Sequence, residues 1–236
     1  MSKKELFDYI RGNMFVSCQG TCAKGNPFYT PERLLLMAKA AYRGGCIGFR
    51  ANTPEIISLI KRVYPDVPMI GIWKQYTFGN DVYITPSMRE VDRIAEIGCE
   101  IIALDGTHRK NADGEYAWEI IPKVKAKYPN IAIMADIGTI EDAKYSYEAG
   151  ADIIATTMSG YTENTADKTD TCDFQLIKDI RSMYPDIFII AEGRIWTRED
   201  AQAAMDCGAD SIVVGSAVTD PQCITQRFVK HLNAHK

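Results

Sequence analysis

The sequence predicts an α/β protein built as a closed (β/α)8 barrel, and three observations carry that prediction. Eight short apolar runs each end at a small or polar residue. Segments with clear helix caps lie between them. A glycine-led junction from helix to strand recurs four times, at Gly45-Cys46-Ile47, Gly98-Cys99-Glu100, Gly150-Ala151-Asp152 and Gly208-Ala209-Asp210. The spacing is about 55 residues, the length of a β-α-β-α unit. Buried parallel strands read as short apolar runs, and strands alternating with helices argue a parallel sheet. Four such units supply eight strands and close a barrel, whereas an open doubly wound sheet needs only about five or six.

Each element has its own signal. Residues 1–13 are expected to form a short helix across the barrel's bottom, with Phe7 and Ile10 inward. The first run, Met14–Cys18, ends before Gln19. Thr30-Pro31 then sets an N-cap before a proline at the first helical position, and Gly44 follows the helix end near Arg43. Cys46–Phe49 ends before Arg50, and Thr53-Pro54 opens the next helix. Pro68–Trp73 ends before Lys74; Ser87-Met88-Arg89-Glu90 reads as a capping box, and Gly98 follows Ile97. Ile101–Leu104 ends before Asp105, and Pro122 is expected to kink or restart the helix that follows. Ile131–Ala135 ends before Asp136, a T-x-x-D start lies at Thr139, and Gly150 follows Ala149. Ile153–Thr156 ends before Thr157. Ile187–Ala191 ends before Glu192, Thr197 begins a second T-x-x-D start, and Gly208 follows Cys207. Ser211–Val214 ends before Gly215, and Asp220-Pro221 caps the last helix. With no linker or low-complexity stretch, residues 1–236 read as one domain.

Composition narrows the function. A net charge of −4 does not suggest nucleic acid and leaves room for a small anionic ligand. No apolar stretch approaches the ~18 residues of a membrane span, and the N-terminus leads into no long apolar segment of a secretory signal. The seven cysteines are scattered, at 18, 22, 46, 99, 172, 207 and 223, which favours reduced, packed thiols in the cytoplasm. Cys18 and Cys22 form a C-x3-C pair, but with three histidines in the chain (His108, His231, His235) no metal site is expected.

The run endings matter because chemistry in parallel barrels gathers at the C-terminal ends of the strands. Strand periodicity of two puts Ile70, Ile72 and Lys74 on one face, and likewise Phe188, Ile190 and Glu192. In the fifth run Ala132, Met134 and Asp136 alternate with Ile131, Ile133 and Ala135. A cation and two anions therefore face one mouth, either for catalysis or as a structural ion-pair network that plugs it. After the seventh run comes Glu192-Gly193-Arg194 and after the eighth Gly215-Ser216-Ala217, positions where glycine lets backbone N–H groups approach a phosphate. The fold expectation is thus a TIM barrel of the phosphate-binding type.

Several segments carry a resemblance: Val16-Ser17-Cys18-Gln19, Gly48-Phe49-Arg50-Ala51-Asn52, Gly71-Ile72-Trp73-Lys74, Asp81-Val82-Tyr83-Ile84-Thr85-Pro86 and Ile102-Ala103-Leu104-Asp105. Met134-Ala135-Asp136-Ile137, Ser159-Gly160-Tyr161-Thr162, Ala191-Glu192-Gly193-Arg194-Ile195 and Val214-Gly215-Ser216-Ala217 continue it in order. Together they resemble the N-acetylmannosamine-6-phosphate 2-epimerase family from about residue 14 to 230. The resemblance implies interconversion of N-acetylmannosamine 6-phosphate and N-acetylglucosamine 6-phosphate in sialic acid catabolism, without metal or organic cofactor. It implies Lys74 as proton-transfer base and Glu192 as its partnering acid/base, with their order open. Gln19, Arg50 and Asp136 would hold the sugar and its developing charge, joined by Thr157 among the substrate-binding residues. Gly193, Arg194, Gly215 and Ser216 would hold the phosphate. The expected partner is an amino sugar phosphate, with no nucleic acid and no membrane, and barrels of this kind often pair through exposed helices as homodimers.

The chain departs from the family at four places. Asp220 stands where arginine is common, which supplies an N-cap and removes a cation expected near the phosphate. Trp73 precedes the lysine, with a parity that points it outward; Gly106 and Gly138 replace other small residues. His108 reads as a loop histidine. Two other functions fit the same residues: a Schiff-base aldolase using Lys74, and a barrel that binds a sugar phosphate without turnover.

Overall fold

A computed structural model describes residues 1–19, 26–168 and 171–234. Cys22 and His235, named above, lie outside them. Eight parallel strands close into a barrel in sequence order: β1 (Met14–Ser17), β2 (Gly48–Asn52), β3 (Met69–Ile72), β4 (Ile101–Asp105), β5 (Ala132–Asp136), β6 (Ile153–Ala155), β7 (Phe188–Glu192) and β8 (Ser211–Val214). The helices are α1 (Lys3–Ile10), α2 (Pro31–Arg43), α3 (Pro54–Val63), α4 (Met88–Ala95), α5 (Ala117–Lys127) and α6 (Ile140–Glu148). Then come α7 (Phe174–Met183), α8 (Arg198–Asp206), the single turn α9 (Ser216–Thr219) and α10 (Pro221–Asn233).

Alternation along the strands makes two cores. Phe15, Ile70, Ile72, Ile101, Ala103, Met134, Ile190 and Val213 fill the barrel, and α1 closes its bottom with Leu6 and Ile10. Phe7 of that helix stacks on Phe188, ring centres 4.9 Å apart. The opposite parity, including Phe49, Ile102, Ile133, Ile189 and Ile212, packs against the helical layer, where Trp73 also lies. Full burial of one such side chain contributes about 1.5–3 kcal/mol, so the two layers dominate the stability.

The repeat is deeper than its glycines. In three of the four units a carboxylate just before an even strand holds the start of the preceding strand and the helix that leads into it. Glu100 accepts the N–H of Met69 and pairs with Lys61. Asp152 accepts the N–H of Ile133 and pairs with Lys125. Asp210 accepts the N–H of Ile189 and pairs with Arg181. Each cation stands two residues before the end of its helix, and each helix ends in a Tyr-Pro step (Tyr64-Pro65, Tyr128-Pro129, Tyr184-Pro185).

Four expectations need correction. The second run continues as a strand to Asn52, so Arg50 lies within β2; its side chain is paired inside the barrel, which lets a charged residue occupy a strand interior. Gly44 is a right-handed C-cap, and the left-handed residue is Gly45, at φ 98°. Ser87 accepts from Arg89 N and donates to Glu90, without the reciprocal bond of a capping box. α5 runs unbroken through Pro122.

Candidate active site

The C-terminal ends of the strands surround a cleft of about 310 Å³. Gln19, Arg50, Lys74, Thr157, Glu192, Gly193, Arg194, Gly215 and Ser216 all line it. Asp136, the remaining sequence-predicted residue, is fully buried and bonded to two of them. β6 ends at Ala155, so Thr157 sits in a 3-10 turn, Thr156–Met158, and not directly after a strand.

A buried ion cluster forms the floor. Arg50, 1% exposed, donates to both oxygens of Asp136 at 3.0 and 2.5 Å and to one oxygen of Glu192 at 2.6 Å. Thr157 Oγ1 donates to Asp136 at 2.6 Å. The Glu192 backbone is tied to Thr156, whose hydroxyl accepts its N–H at 3.2 Å and donates to its carbonyl at 3.0 Å. Two carboxylates thus share one guanidinium. Burial pushes the Glu192 carboxyl up to about 7; Asp136 adds to the rise, while Arg50, Lys74 and Thr157 oppose it. Arg50 Nε is buried and without a hydrogen-bond partner in the protein, an unsatisfied donor.

Lys74 enters from the other side. Its N–H is accepted by Asn52 Oδ1 at 2.9 Å, two residues beyond Arg50 on the same face of β2. The chain after β3 folds back as a hairpin: Lys74 pairs with Ile84, and Gln75 N donates to Tyr83 O at 2.9 Å. This places the Lys74 ammonium 5.8 Å from the centre of the Tyr83 ring, which stacks on Tyr76. Lys74 and Glu192 are therefore separate in sequence and joined in one cleft, close enough for the lysine charge to depress the carboxyl pKa.

The far end is built from the turns after β7 and β8. Gly193 and Arg194 both take positive φ, 105° and 54°, a turn that glycine adopts freely. Gly215 caps α9, accepting the N–H groups of Val218 and Thr219 at its carbonyl at 2.9 and 3.0 Å. Gln19 donates to Ser17 Oγ at 2.9 Å, and Thr219 donates to Ser17 O at 2.9 Å, tying β1 to this end. Arg194 lies to one side: its Nε donates to Thr171 O, and its guanidinium sits 5.3 Å from the Tyr161 ring centre. Asp220 caps α10 through Cys223 N at 3.0 Å and also lines the cleft.

Sequence reasoning missed Asn52, Tyr76, Tyr83, Tyr161 and Trp196 as cleft-side residues. Asn52 was reachable by extending the parity of Arg50 one step. The tyrosines and the tryptophan sit on loops, where no periodicity marks a direction. His108 is exposed and packs edge-on against Trp118, outside the cleft. Cys18 is buried, its thiol pushed up to about 12 by burial, and no cluster of three or more potential metal ligands occurs among the described residues.

Comparison with known proteins gives a consistent set of relatives. The family model NanE, described as "Putative N-acetylmannosamine-6-phosphate epimerase", matches residues 34–234. A curated protein of Caldanaerobacter subterraneus subsp. tengcongensis is 39% identical over 232 residues, 98% of this chain and 96% of that one. Another, from Cutibacterium acnes, is 41% identical over 221 residues, 93% of each. Both are described as "Putative N-acetylmannosamine-6-phosphate 2-epimerase". The solved N-acetylmannosamine-6-phosphate 2-epimerase of Clostridium perfringens superposes with a TM-score of 0.88 at 38% identity, over 95% of each chain. Thiamine phosphate pyrophosphorylase from Pyrococcus furiosus superposes at 0.61 with 15% identity, over 94% of this chain and 93% of that one, a likeness of fold alone.

Proposed function

The chain belongs to the N-acetylmannosamine-6-phosphate epimerase family, and on that premise we propose that it is an isomerase interconverting N-acetylmannosamine 6-phosphate and N-acetylglucosamine 6-phosphate at C2. The observation that carries the mechanism is that Lys74 and Glu192 face one cleft, with the Glu192 carboxyl at about 7. A group titrating there populates both protonation states at neutral pH, as an acid/base catalyst requires.

The C2 hydrogen is acidic only in the open-chain sugar, beside the C1 aldehyde. One member of the Lys74–Glu192 pair, in its basic form, takes the proton. The C–H electrons become the C1–C2 double bond, and the aldehyde oxygen takes the negative charge. The other member, in its acidic form, returns a proton to C2 from the opposite face, which inverts that centre. The pair then holds the same number of protons, placed for the reverse reaction. The Arg50 guanidinium, at the cleft, stabilises the negative charge that develops on the enolate oxygen, a preorganised contribution of the oxyanion-hole kind. Asp136 and Thr157 hold Arg50 in place. Gln19 orients sugar hydroxyls. The turns at Gly193-Arg194 and Gly215-Ser216 take the phosphate, with α9 presenting its N-terminus. The steps balance with these side chains alone.

We assign the reaction to sialic acid and amino sugar catabolism in the cytoplasm. The unpaired thiols at Cys18, Cys46, Cys99, Cys172, Cys207 and Cys223 support a reducing compartment. No helix among the described residues is long and apolar enough to cross a membrane. α10 shows Phe228, Val229 and Leu232 to solvent, which supports a homodimer paired through this helix.

Proton NMR of the purified protein in deuterium oxide with each sugar phosphate tests the reading. It predicts both epimers, with deuterium at C2 of the product. Product that keeps its original C2 proton contradicts it.

A further inference from the structure

The charges around the cleft do not balance for the ligand it is built to take. Among the described residues, five charged ones line it: Arg50, Lys74, Glu192, Arg194 and Asp220. Arg50 is committed to two carboxylates, and Lys74 stands at the proton-transfer end with Glu192. The phosphate end retains Arg194 and Asp220, one charge of each sign. A phosphate monoester adds roughly −1.5 to −2 at pH 7. Backbone N–H groups at Gly193 and α9 offset part of that, but the carboxylate of Asp220 works against it. A further cation beside this end would favour the phosphate.

One is in place. Arg227 of α10 lies with its guanidinium carbon 3.9 Å from the centre of the Trp196 ring, the closest cation–ring approach among the described residues. Trp196 is itself a wall of the cleft, in the turn after β7 that carries Gly193 and Arg194. Its backbone is held by Asp200, which accepts the Trp196 N–H at 3.1 Å. Arg227 stands seven residues beyond Asp220, the cap of its own helix, so two helical turns bring it back to the same side of α10. The Asp220 cap thereby orients the helix that carries the compensating charge. A guanidinium stacked on an aromatic face is weakly held and keeps all its N–H donors, which suits transfer to a phosphate fork.

We propose that Arg227, parked on Trp196, is the specificity-determining cation for the 6-phosphate in this chain. The inference rests on the epimerase reading of the cleft and deepens it. Phosphate recognition then comes from α10 over the rim, and Asp220 at the cleft wall is tolerated because Arg227 answers its charge. Arg227 takes no part in proton transfer at C2.

The test compares kcat/KM for N-acetylmannosamine 6-phosphate and for unphosphorylated N-acetylmannosamine, in the unsubstituted protein, Arg227→Gln, Arg227→Lys and the same-helix control Lys230→Gln. Isothermal titration with N-acetylglucosamine 6-phosphate accompanies it. The expected result is that Arg227→Gln lowers the preference for the phosphorylated sugar at least tenfold, through KM, and weakens binding in titration by a similar factor. Arg227→Lys keeps part of the preference, and Lys230→Gln keeps all of it. An unchanged preference and unchanged binding in Arg227→Gln overturn the proposal. Failure of the unsubstituted protein to convert either sugar instead overturns the epimerase reading, and the titration still reports on Arg227.

Discussion

Asp136 and Glu192 share one buried guanidinium, and they share it unequally: Asp136 takes two hydrogen bonds from Arg50 and Glu192 takes one. Thr157 adds a further bond to Asp136. The inequality divides the labour. Asp136 fixes the cation, and Glu192, buried beside a second carboxylate, is left with a carboxyl near neutrality. On the function proposed above, the ion-pair network and the catalytic site are one object, and the structural role of the cluster sets the chemical role of Glu192.

Glu192→Gln is expected to lower turnover by about 10²–10⁴-fold, the usual contribution of a positioned acid/base. It should also stabilise the fold. Burial raises the Glu192 pKa to about 7 from the ordinary 4.5, so the native state binds more protons than the unfolded chain between those values. Stability then falls as pH rises through that window, by about 1–3 kcal/mol. Urea unfolding at pH 8 should find the variant more stable than the unsubstituted protein, with the difference shrinking toward pH 4.5. A constant difference across that range would remove the raised pKa.

Both directions of the reaction should share one pH profile for kcat/KM, because their ratio is an equilibrium constant. The proposed pair needs one basic member, and below about pH 7 the Glu192 carboxyl gains its proton. Activity in either direction should therefore fall as pH drops through about 7. Initial-rate measurements with each epimer check this, and a flat profile from pH 5.5 to 8 would contradict it.

Arg50→Ala leaves two carboxylates in the barrel without their cation and should destabilise the protein by about 3–5 kcal/mol at pH 8. Protonating the carboxylates relieves the defect, so the loss should be smaller at pH 5. Chemical denaturation at the two pH values reads the difference.

At the other end of the barrel, Asp210→Ala removes the acceptor of the Ile189 N–H and the partner of Arg181. A loss of about 1–3 kcal/mol in urea is expected, with kcat within twofold of the original. A large fall in kcat with unchanged stability would mean that the bottom of the barrel is coupled to the site.

Much of this was legible in the chain. The unbroken apolar run Ile187–Ala191 marks a strand buried on both faces, and the side-chain period of two then gives the direction of Glu192 at its end. Arg50 broke that rule: a charge inside an apolar run reads as a strand end unless its partners are known, and they lie 86 and 142 residues away. The carboxylates Glu100, Asp152 and Asp210 were visible in the repeat, but their pairing with the preceding strand and helix depends on how those elements pack, which no local pattern records. Tyr83 was hidden for a similar reason. Its place over Lys74 follows from a hairpin whose register is set by Lys74 and Ile84, ten residues apart.

The most direct measurement is deuterium incorporation at C2 of N-acetylmannosamine 6-phosphate, followed by proton NMR in deuterium oxide with the Lys74→Ala protein. The account predicts no enzyme-dependent exchange, with the sugar phosphate still bound in a parallel titration. Exchange at the rate of the unsubstituted protein would take Lys74 out of the proton-transfer pair.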